Sequence, residues 1–186
     1  GVERFVEISP DGQFMAYVAV HENRYAVHWV NTRDQDQQHI VESEYSQVSP
    51  VFSPDGTHMA VAEFRADGCH VMVLELHGDE RRDLGSCHYQ GPIPLLDWSQ
   101  DGHYLAVTDT AQNLDAAAIW QVDLSNGERR QLTQPPDSYH SDARPRYSPD
   151  QNYLSFSRGT TAYREIYLLA IDAHHDARAL TSDHQY

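Results

Sequence analysis

The chain has 186 residues, 40 % of them apolar, with 28 acidic residues against 13 basic ones and a formal charge of −15. That length supports one domain with a sizeable core. Every basic residue is arginine, and the acidic balance argues against a nucleic-acid surface and against docking on an anionic membrane.

Taken in order, the chain reads as hairpins throughout. The first stretch gives strands over residues 4–9, 14–20, 26–31 and 38–41. The second gives 50–53, 58–64, 70–76 and 81–84, with turns at Ser53-Pro54-Asp55-Gly56, Arg65-Ala66-Asp67-Gly68 and His77-Gly78-Asp79-Glu80. The third gives 95–99, 103–109, 117–124 and 129–133, and Ser125-Asn126-Gly127-Glu128 is a strong hairpin signal. The fourth gives 144–148, 153–158, 165–171 and 178–181. Val71 and Val73 typify the β-branched residues that favour extended chain. Ala116-Ala117-Ala118 is too short to argue for a helix and leads into a strand pattern.

One motif opens each stretch: Ile8-Ser9-Pro10-Asp11-Gly12, Phe52-Ser53-Pro54-Asp55-Gly56, Trp98-Ser99-Gln100-Asp101-Gly102 and Tyr147-Ser148-Pro149-Asp150-Gln151. Proline presets the first central turn angle, aspartate suits the next position, and glycine takes the left-handed position without steric penalty. From Asp11 to Asp55, Asp101 and Asp150 the steps are 44, 46 and 49 residues. A repeat of that length opened by a strand turn points to propeller blades. The expected fold is all-β, with four blades of four antiparallel strands over residues 1–42, 48–85, 93–133 and 143–182. Generic hairpins in a sandwich are the alternative, but a sandwich gives no reason for the period.

Apolar–aromatic–Ser–Pro–Asp–Gly, then a strand and a hairpin ending in Arg130-Gln131-Leu132-Thr133, resembles the WD40-like repeat of the TolB (PD40) type along essentially the whole chain. Gln100 replaces the proline of the third repeat and Gln151 the glycine of the fourth. A non-glycine left-handed residue costs about 1–2 kcal/mol, so another turn type is expected there. The 165–172 strand and 179–186 linker are similar to sensor regions of CadC-like winged-helix regulators. That likeness implies a periplasmic, non-catalytic propeller that senses or docks something. A TolB-like scaffold fits too, as does the gating propeller of a prolyl-oligopeptidase-like peptidase. This repeat usually closes with six or more blades. Further blades, or a second copy completing an eight-bladed ring, are therefore expected to cover the apolar blade faces.

The first strand of a propeller blade lines the axis. Aligned on the aromatic residue, one row holds Glu7, Val51, Asp97 and Arg146; the row two residues earlier holds Phe5, Ser49, Leu95 and Arg144. Acids and arginines converging there suit a peptide segment or a small polar ligand. The plainer reading is charge pairing that holds the blades in register. Enzyme signatures are absent: there is no Gly-x-Ser-x-Gly elbow, and without lysine no Gly-Lys-Ser phosphate loop and no Schiff base.

Twelve histidines are scattered as His21, His28, His39, His58, His70, His77, His88, His103, His140, His174, His175 and His184. They lack metal-ligand spacing, so neither metal nor cofactor is expected, though so many could report pH near 6. Cys69 and Cys87 flank the outer hairpin of the second blade. A turn near Gly78 sets residue 69 opposite 87 or 88, which allows a disulfide and an oxidising compartment; a slip of one residue would aim the side chains apart. No run of about 18 apolar residues and no signal peptide occurs, so no segment here is expected to enter a bilayer. The chain starts on a strand and stops in a linker pattern, as a piece of a longer protein would.

Overall fold

A computed structural model describes residues 4–34, 38–88, 95–112, 115–137, 140–160, 162–172 and 176–182. His174, His175 and His184 lie outside these. The described residues form sixteen strands in four antiparallel sheets, and the chain divides into two compact units, residues 1–87 and 88–186.

The first unit holds two sheets. One runs β1 (Arg4–Ile8), β2 (Phe14–His21), β3 (Arg24–Asn31) and β4 (Gln38–Ile40); the other runs β5 (Ser46–Phe52), β6 (His58–Arg65), β7 (Gly68–Glu75) and β8 (Arg81–Cys87). Each sheet is a meander in sequence order. β5 packs against the first sheet across β1, β2 and β3. Ala16, Ala60 and Ala62 are fully buried, as are Val27, Met59, Val61 and Val71.

The second unit repeats the plan with β9 (Leu96–Trp98), β10 (Tyr104–Thr110), β11 (Ala117–Asp123) and β12 (Arg129–Gln131), then β13 (Ser141–Tyr147), β14 (Tyr153–Gly159), β15 (Arg164–Ala170) and β16 (Ala177–Ala179). Its core joins Ala106, Ile119 and Leu132 of one sheet to Leu154, Phe156 and Leu169 of the next. β5 and β13 begin at Ser46 and Ser141, earlier than sequence patterning placed them.

The four motif turns share one set of bonds. In the second, Gly56 N donates to Ser53 O at 2.9 Å, Ser53 Oγ to Asp55 Oδ1 at 2.5 Å, Thr57 N to Asp55 Oδ1 at 3.0 Å, and His58 N to Ser53 Oγ at 2.9 Å. Ser9 with Asp11, Ser99 with Asp101 and Ser148 with Asp150 repeat the serine–aspartate bond at 2.6 Å. Gly12, Gly56 and Gly102 have φ between 70° and 77°. The fourth turn is not of another type: Gln151 takes the same position at φ 60°, and Gln151 N donates to Ser148 O at 2.9 Å. The side-chain bonds hold the turn strongly enough to carry the strained glutamine. Gln100 changes nothing, since its position contributes no side-chain bond to the shared set.

Cys69 and Cys87 are bonded, with Cα atoms 5.0 Å apart. A bulge makes this pairing. Met72 faces Asp83, but His70 faces Ser86, so Leu84 and Gly85 together oppose Val71. Without that extra residue the register would set Cys69 against Ser86. Gly85 supplies the left-handed angle, φ 95°.

Candidate binding site on the inner strands

The first strand of each sheet carries the candidate residues. In three of the four it is bulged at one repeat position. Phe5 and Val6 oppose Tyr17, Ser49 and Pro50 oppose Val61, and Arg144 and Pro145 oppose Phe156. The first residue of each bulge is left-handed, with φ 54° at Phe5, 53° at Ser49 and 56° at Arg144. None is glycine, so each stores about 1–2 kcal/mol of strain. Strand alternation alone would put residues two apart on one side. At these strands the extra residue breaks that alternation, so Glu7, Val51 and Arg146 face away from Phe5, Ser49 and Arg144. Ser49 is 4 % exposed, whereas Arg144 is open to solvent. β9 has no bulge. Leu95 lies just before it, fully buried, with its carbonyl accepting from Thr108 N at 2.8 Å.

Within the second unit, two candidates meet. Arg146 Nη1 donates to Asp97 Oδ1 at 2.8 Å, and Tyr147 N donates to Asp97 Oδ2 at 2.6 Å. Asp97 is 8 % exposed. Burial pushes its carboxyl above the ordinary range, although the Tyr147 amide and the Arg146 guanidinium pull the other way. Burial also raises the Tyr147 phenol, whose oxygen accepts from Gln121 Nε2 at 3.3 Å. Asp97 thus ties β9 to β13, while the Arg146 side chain stays half exposed. Glu7 is half-buried on β1 in the first unit.

A second set of polar residues escaped sequence reasoning. Eight residues after the turn aspartate stand Glu63, Asp109 and Arg158, each ion-paired within its own sheet. Glu63, 2 % exposed, accepts from Gln47 Nε2 at 3.0 Å, Ser43 Oγ at 2.9 Å, Arg65 Nε at 3.0 Å and Arg81 Nη2 at 3.2 Å. Burial opposes its charge, but these donors hold its pKa below the ordinary value. Arg158 grips the fully buried Asp142 through Nε at 2.7 Å and Nη2 at 2.8 Å. Burial again opposes the charge and Asp142 outweighs it, raising the arginine pKa. Asp109 takes Arg129 Nη1 at 2.9 Å. The available signal was a lone charge in an apolar strand, as in Val61-Ala62-Glu63-Phe64. Among the described residues no group of three His, Cys, Asp or Glu could hold a metal ion.

Solved structures share this architecture. A TolB-type protein of Agrobacterium tumefaciens superposes with a TM-score of 0.78 at 19 % identity, over 97 % of this chain and 62 % of that one. TolB of Acinetobacter baumannii gives 0.80 at 17 % identity, over 97 % and 43 %. A puromycin-hydrolyzing peptidase of Mycobacterium tuberculosis gives 0.74 at 15 %, over 96 % and 28 %. At such identities the likeness is one of fold, and the chain spans less than two thirds of each of these proteins. The sequence profile of the TolB beta propeller domain family, PD40, matches residues 12–186. The four meander sheets, the shared serine–aspartate turns and that match together mean that the chain belongs to the TolB-type β-propeller family.

Proposed function

We propose that this chain is a non-catalytic binding module of the bacterial periplasm, whose inner strands present a face to a protein segment or a small polar ligand. The observation that carries the reading is the recurrence of a strained, non-glycine residue at one position of three inner strands. Bulges of this kind re-aim side chains, and backbone strain gathers at functional sites. Arg144, open to solvent at the fourth-sheet bulge, would meet an anionic group. The Cys69–Cys87 disulfide fits an oxidising compartment.

Two settings suit such a module: the extracytoplasmic sensor region of a membrane-anchored winged-helix regulator, or a TolB-like scaffold. The full reading frame separates them. A winged helix followed by one membrane span supports the regulator, and a cleavable signal peptide supports the scaffold. Cell fractionation of the tagged full-length protein tests the compartment; recovery in the cytoplasm would refute it. In-cell crosslinking tests the site. A partner captured by the natural protein should be lost on Arg144→Ala exchange, and undiminished capture would refute it. A gating propeller of a serine peptidase is the second reading, favoured by the peptidase neighbour. A downstream Gly-x-Ser-x-Gly domain would decide for it.

Exposed apolar side chains concentrate in the first and fourth sheets. Val6, Ile8 and Val20 are 59–60 % exposed, and Tyr163, Ile166 and Leu180 are 75 %, 43 % and 52 % exposed. We infer that further blades, from a longer chain or a second copy, cover these faces. Sedimentation of the 186-residue chain as a soluble monomer at high concentration would contradict the second-copy form.

A further inference from the structure

The first unit contains a cleft of about 420 Å³ between β3–β4 and the β7–β8 turn. Its floor is apolar and fixed. Trp29 is 5 % and Leu74 6 % exposed. His39 stacks on the indole at 4.2 Å, with Phe14 and His77 edge-on at 5.0 and 5.6 Å. Ile40 lies beside it on β4, the edge strand of its sheet, and is 38 % exposed.

The rim is acidic: Glu42, Glu75, Asp79 and Glu80 all line the cleft. Among the described residues none of these carboxylates has a side-chain hydrogen bond or an ion pair. Glu63, Asp83, Asp109 and Asp142, by contrast, are each matched by arginine. Arg81 also lines the cleft, but its guanidinium donates to the Glu42 carbonyl oxygen at 2.5 Å and to Glu63 at 3.2 Å. The groove therefore offers apolar surface beside uncompensated negative charge.

We propose that this cleft receives an extended segment of a partner protein, with an apolar side chain against Ile40 and the exposed His39 ring that covers Trp29, and a lysine or arginine among Glu75, Asp79 and Glu80. Charge complementarity sets the sign of the partner, and the apolar floor demands more than a bare cation. The site is separate from the inner strands and stands whether or not they bind anything.

The test is calorimetric titration of the full chain with an acetylated, amidated heptapeptide alternating lysine and leucine. A glutamate–leucine peptide and spermine serve as comparison ligands. The expected result is saturable binding of one lysine–leucine peptide per chain, none of the acidic peptide, and loss in about 0.5 M salt. Joint exchange Glu75→Gln, Asp79→Asn and Glu80→Gln should weaken it about tenfold, and Ile40→Asn about fivefold. All four positions are exposed, so thermal melts should match the natural chain. If the triple variant melts early, Glu42→Gln and Asp79→Asn alone should each cost about threefold. Absence of saturable binding, equal affinity for the carboxamide variants, or spermine binding as tightly as the peptide would overturn the proposal.

Discussion

The second and fourth sheets share a plan and differ in three details. Both have a left-handed bulge on the inner strand, a serine–aspartate turn, and a cross-strand polar pair two rows before the bulge. In the second the pair is Gln47 with Glu63; in the fourth it is Asp142 with Arg158. The second turn has Gly56 where the fourth has Gln151, and only the second carries a disulfide. The same backbone thus tolerates opposite charge at one position and strain at another. Side-chain bonding, rather than any one residue type, carries the repeat.

The largest expected effect tests the buried pairs. Arg158→Leu leaves Asp142 fully buried and unpaired, and should cost about 3–5 kcal/mol. Glu63→Gln keeps most of its donors satisfied and should cost less, about 1–2 kcal/mol. Urea denaturation measures both, and equal losses would break the contrast. Next comes the disulfide, which closes a separation of 18 residues. Replacing both cysteines with serine should cost about 3 kcal/mol. Hydrogen exchange should place that loss on β7 and β8 and leave β13–β16 unchanged.

Gln151→Gly should stabilise by about 1 kcal/mol, and Gly56→Gln should destabilise by a similar amount. If both changes are neutral in thermal melts, the strain at Gln151 is illusory. The smallest effects are those of pH. Serine hydroxyls and turn amides hold Asp55 and Asp150 below the ordinary carboxyl range. The stability they contribute is present above about pH 4 and is lost as pH falls through their folded values. His28 in the first sheet behaves as a buried base, with burial and His21 holding its pKa down. Its unfolded form takes the proton first, so the first unit should weaken as pH drops below about 6.5. His28→Phe should flatten that slope.

The repeats were legible because they are local: Ser, Asp and Gly at fixed offsets define a turn without help from distant residues. The bulges were less so. Pro50 and Pro145 lack an N–H and sit inside inner strands, a signal for a bulge, yet the first repeat has Val6 there and gives no warning. The Cys69–Cys87 register depended on Leu84-Gly85, where a single extra residue decides which side chains meet. Buried partners such as Arg158 and Asp142 are contacts between strands, and a strand pattern alone cannot choose them. Whether Glu7 and Ser49 serve a common surface is likewise set by backbone geometry, because the bulge turns Ser49 away from the row that Glu7 and Val51 share.

The broken register of the inner strands decides which side chains share a face. Cross-strand proton contacts by nuclear magnetic resonance measure it directly. The predicted result sets Glu7 against Ala16, Val51 against Ala60 and Arg146 against Ser155. Contacts of Glu7 with Met15, Val51 with Met59 and Arg146 with Leu154 would mean an unbroken ladder and would contradict it.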